Sequence, residues 1–63
     1  MTFKELLAQQ DFTQDCLAQH LHVSQVAVSK WVRNVAMPTR EKMSKIAKVL
    51  DVDVNVVIQC FYR

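Results

Sequence analysis

Thr13-Gln14-Asp15-Cys16-Leu17-Ala18-Gln19-His20-Leu21-His22-Val23-Ser24-Gln25-Val26-Ala27-Val28-Ser29-Lys30-Trp31 reads as two short helices joined by a sharp turn. Each opens on a hydroxyl residue, Thr13 and then Ser24, whose side-chain oxygen can accept a hydrogen bond from an otherwise unpaired N–H of the first turn. Leu17, Ala18 and Leu21 recur at helical spacing on the first helix, and Val28, Trp31 and Val32 on the second. Each helix therefore has one face to bury. The second leaves Gln25, Val26, Ala27, Ser29, Lys30 and Arg33 outside, and small, polar and basic side chains in that pattern suit a nucleic-acid groove.

Outward from this pair, Thr2 caps a helix running to about Gln10, with Phe3, Leu6 and Leu7 as its buried stripe and Asp11 near the break. Asn34 to Pro38 reads as a loop, because Pro38 disfavours helix at the residue before it and Thr39 offers a fresh cap. The next helix buries Met43, Ile46, Ala47 and Leu50 and keeps Arg40, Lys42, Lys45 and Lys48 outside. The tail, 52–63, carries two periods. Val54, Val57, Ile58 and Phe61 fit a helical face behind an Asp53 cap, while Val52, Val54, Val56, Ile58, Cys60 and Tyr62 alternate as in a strand. Helix is favoured, since a lone strand leaves its backbone unpaired unless a second copy supplies the partner. The expected fold is all-α, one compact four- to five-helix domain over residues 1–63. Ile58, Phe61 and Tyr62 are expected at a dimer surface, with closure of the chain's own core as the alternative.

Sixty-three residues make one small domain with little room for a catalytic cleft, and no enzymatic activity is expected. The chain is 51% hydrophobic, too apolar for a disordered segment, yet no apolar run approaches the roughly 20 residues of a membrane helix. The N-terminal sequence lacks the pattern of a secretory signal. A cytoplasmic protein with free Cys16 and Cys60 is the expectation. Those cysteines and His20 and His22 lack paired Cys-x-x-Cys spacing, so no metal or other cofactor is expected. The net charge of +2 is modest but uneven: Lys30, Arg33, Arg40, Lys42, Lys45 and Lys48 face the single acid Glu41 between positions 30 and 48, and the remainder is acidic. A one-sided field of this kind suits a phosphate backbone, although Lys42, Lys45 and Lys48 also fit a merely solvated helix face.

From about Phe12 to Ile58 the chain resembles the helix-turn-helix regulators of the lambda-repressor and Cro type, the XRE family. Thr13-Gln14, Leu17-Ala18, Val23-Ser24, Ser29-Lys30-Trp31, Pro38, Ile46-Ala47 with Leu50, and Val52 carry the likeness. The resemblance implies a phosphate contact for Gln14 and base contacts for Gln25, Val26 and Lys30. Residue chemistry adds its own weight. The Gln25 amide matches adenine N6 and N7, Lys30 suits guanine or a phosphate, and Val26 or Ala27 can rest on a thymine methyl. Ser29 reads as a base contact, a phosphate contact or a spacer. Ser24, Arg33, Asn34, Arg40 and Lys42 join Gln14 as residues expected to hold the phosphate backbone. Trp31 reads as core, with an N–H that can reach a phosphate at its edge.

Relatives carry glycine after the second and third helices, but this chain has none, and His22 and Asn34 stand there instead. An acid common before the Leu17 position is replaced by Cys16. The likeness implies a double-stranded operator and a homodimer that represses by occupancy. A protein partner, either another repressor or a toxin, is the alternative, with the third helix or tail as the gripping surface.

Overall fold

A computed structural model describes residues 2–62; Met1 and Arg63, the two ends of the expected domain, lie outside them. The described residues form five helices: α1 (Phe3–Gln9), α2 (Gln14–Leu21), α3 (Gln25–Val32), α4 (Arg40–Leu50) and α5 (Val54–Phe61). None exceeds 11 residues, and helices this short are marginal alone, so caps and packing must hold them. Thr2, Thr13, Ser24, Thr39 and Asp53 each accept a backbone N–H of the first turn, from Glu5, Cys16, Ala27, Lys42 and Asn55, at 2.8–3.2 Å.

At α1 the cap is reciprocal, the Thr2 N–H donating to Glu5 Oε1 at 3.1 Å. That backbone bond, and then the Thr2 side chain, hold the Glu5 carboxyl below its ordinary value. A lowered folded-state pKa stabilises above the unfolded value and stops doing so as pH falls through the folded one. Protection of the first-turn amides of α1, taken relative to the unfolded-chain exchange rate at each pH, is therefore expected to fall below about pH 4, and it should not in Glu5→Gln.

The helices enclose an apolar core. α1 packs on α3 and α5, α2 on α3 and α4, and α4 on α5. Phe3, Leu6, Leu17, Val28, Met43, Ile46 and Val57 are fully enclosed, and no polar side chain among the described residues is buried. The tail adopts the favoured helix, but its inner face differs from the expected stripe: Val57 and Cys60 are the buried residues, while Val54, Ile58 and Phe61 are half-buried against the core. Cys60 faces inward because it lies three residues after Val57 on the same face of the helix, and its Sγ donates to the Val56 carbonyl at 3.3 Å. Burial pushes the thiol pKa up. Val32, expected on the buried face of α3, is only half-buried, as is Lys42, expected outside on α4.

A glycine-free chain must still end its helices. Asp11, His22, Asn34 and Asp51 adopt the left-handed conformation, with φ of 55–59°. After each, the next residue's N–H bonds a carbonyl five residues back: Phe12 to Leu7, Val23 to Ala18, Val35 to Lys30 and Val52 to Ala47, at 2.9–3.1 Å. This is the Schellman closure, with an apolar residue following the left-handed one. Phe12, Val23 and Val52 pack on the core, whereas Val35 remains 68% exposed. Imidazole carries more strain in this conformation than Asn or Asp. His22→Gly is expected to raise the melting temperature by roughly 3 °C, and Asn34→Gly by less, as thermal unfolding followed by circular dichroism would measure.

Candidate nucleic-acid interface

The turn after α2 brings the start of that helix beside the outer wall of α3. Gln14, the first residue of α2, lines one open hollow of about 300 Å³ together with Gln25, Val26, Ser29 and Arg33 of the α3 segment. Gln25, Ser29 and Arg33 stand four residues apart and so form a single stripe along the helix. Ser24 holds the head of this stripe in place, its hydroxyl accepting from the Ala27 N–H at 3.2 Å while the O–H proton stays available to a ligand.

Gln25 and Lys30 are exposed, and Val26 is 62% exposed. Ala27 and Ser29 are half-buried rather than fully exposed as the sequence suggested, and Ala27 packs against the core. Lys30 does not line the hollow and points along a neighbouring face of α3. Asn34 closes α3, exposed and left-handed, while Arg40 opens α4 at the surface. Among the described residues the one ion pair is Lys45 with Glu41, at 3.7 Å. Lys30, Arg33, Arg40 and Lys42 thus have no carboxylate within 4.0 Å among those residues.

Trp31 is 6% exposed and belongs to the core, fixing the roll of α3 so that its polar stripe faces out. Of the three residues expected at a dimer surface, Phe61 packs in a tilted contact against Phe3, ring centroids 5.1 Å apart, and so lies against the chain's own core. Ile58 is half-buried against that core, and Tyr62 is 45% exposed. Arg33, expected outside on α3 and among the backbone contacts, lines the same hollow as Gln25, eight residues before it. Among the described residues no three His, Cys, Asp or Glu side chains are grouped to hold a metal ion, and both cysteines are free. No described helix is long and apolar enough to cross a membrane.

Two capped helices with a short turn, the second presenting a polar stripe, define a helix-turn-helix domain. A family model described as helix-turn-helix matches residues 3–57, and the chain belongs to that family, the DNA-binding transcription regulators of XRE type. No curated protein and no solved structure matches it.

Proposed function

We propose that this regulator is a Cro-like repressor, a cytoplasmic homodimer that binds a palindromic operator and blocks transcription by occupying it. The observation that carries the reading is the hollow in which Gln14, Gln25, Val26, Ser29 and Arg33 converge, on a stretch of chain whose Lys30, Arg33, Arg40 and Lys42 form no ion pair among the described residues. In a dimer the two α3 helices enter successive major grooves about 34 Å apart. Gln25, Val26, Ala27, Ser29 and Lys30 read base edges there. Gln14, Ser24, Arg33, Asn34, Arg40 and Lys42 hold the backbone on either side. Tyr62 and the outer edge of Ile58 contribute to the dimer contact. No catalytic step is assigned to any residue.

Selection of bound duplexes from a random pool, read with the mass of the complex, tests this reading. A two-fold site bound by two chains is the expected result, and an unenriched pool contradicts it. Val35 at 68% and Met37 at 49% exposure favour a second reading, in which the loop before α4 grips a protein such as another repressor or a toxin. Binding through those apolar side chains would depend little on salt, whereas operator binding weakens steeply as salt rises.

A further inference from the structure

A second hollow, of about 200 Å³, adjoins the first and shares Gln14 with it. Lys4 of α1, Thr13 and Gln14 supply its polar lining, and Leu7, Phe12 and Val32 its apolar one. Lys4 played no part in the expected interface, because α1 precedes the helix-turn-helix and its lysine is separated from the basic stretch in sequence. Folding brings it beside Gln14.

Resting on the DNA-binding reading above, we propose that this second hollow holds a backbone phosphodiester, the neighbour along the same strand of the one held by Gln14 and Arg33. The chemistry of the lining fits. The Lys4 ammonium has no carboxylate within 4.0 Å among the described residues, because the adjacent Glu5 is turned toward the Thr2 N–H. Thr13 Oγ1 accepts from the Cys16 N–H at 3.1 Å, which leaves its O–H proton to donate to an anionic oxygen. Asp11 and Asp15, each adjacent in sequence to a lining residue, do not line the hollow, and Asp15 accepts from Gln19 Nε2 at 3.2 Å. The apolar lining suits the deoxyribose carbons on either side of a phosphate. Lys4 then anchors α1 to the strand and fixes the angle at which α3 enters the groove.

Lys4→Ala and Lys4→Gln, both at an exposed position, are compared with the unaltered protein on operator and random duplexes across a salt series. The expected result is a loss of roughly fivefold on both duplexes, with a salt slope shallower by about 0.9 per bound chain. A scan that replaces single phosphates of one strand with neutral methylphosphonates locates the contact. One position should weaken the unaltered protein markedly and Lys4→Ala much less. Unchanged affinity and slope in both variants, or a scan identical in the two proteins, overturns the Lys4 site while leaving the α3 reading standing. Failure of the unaltered protein to bind any duplex overturns both.

Discussion

Trp31→Ala is expected to lower folding stability by about 3–5 kcal/mol, the range for removing a large aromatic from a packed core. The indole is 6% exposed on the inner face of α3, and α3 is held between α1 and α2. A domain of 63 residues has only about 3–9 kcal/mol in total, so the loss removes at least about a third of it. Trp31→Phe, which retains most of the apolar volume, should lose less than half as much. Urea unfolding followed by circular dichroism measures both, since each variant removes the chain's only tryptophan and with it the fluorescence signal. A Trp31→Ala protein within 1 kcal/mol of the original would mean that the indole packs elsewhere, and the orientation of α3 would have to be redrawn.

Gln25→Ala is expected to weaken operator binding by about 1–3 kcal/mol, roughly 5- to 150-fold, while leaving affinity for random duplex nearly unchanged. Gln25 is exposed at the head of α3 behind the Ser24 cap, where its amide can meet the two edge groups of adenine. Arg33→Ala should behave differently. As a phosphate contact it should weaken operator and random duplexes by similar factors, with a shallower salt slope. Competition gel shifts with both duplexes separate the two patterns. Equal losses on both for Gln25→Ala would remove its base-reading role, and loss on the operator alone for Arg33→Ala would move that residue to the base-reading group.

The local signals carried most of the architecture. Thr2, Thr13, Ser24 and Thr39 stand before apolar repeats at helical spacing, and each caps its helix. The tail was ambiguous for a physical reason: a run of valines satisfies the periods of both helix and strand, and only the Asp53 cap and the burial of Val57 and Cys60 separate them. Helix ends were half legible. Two of the four left-handed positions, His22 and Asn34, were visible where relatives carry glycine, but Asp11 and Asp51 had no such marker. The apolar residue after each position was a further sign, because closure of the turn carries it toward the core at three of the four.

The candidate site was legible as a set of residues and not as a surface. Helical spacing groups Gln25, Ser29 and Arg33, but it says nothing of how α1 and the head of α2 lie against them. Lys4 and Gln14 join the same strip only through the packing of α1 on α3 and of α2 on α3. Similarly, nothing local distinguishes Val35, which stays in solvent, from Phe12, Val23 and Val52, which reach the core. That difference depends on which helix lies opposite the turn.

The central claim, that the outer stripe of α3 meets DNA, is tested most directly by following the backbone amide resonances of this 7.3 kDa chain as a selected duplex is added. The account predicts that the largest shifts fall on Gln14, Gln25, Val26, Ser29, Lys30 and Arg33, and that α5 changes little beyond any dimer contact at Tyr62. Shifts confined to α5 or to the Val35–Met37 loop, with α3 unmoved at saturating duplex, would contradict it.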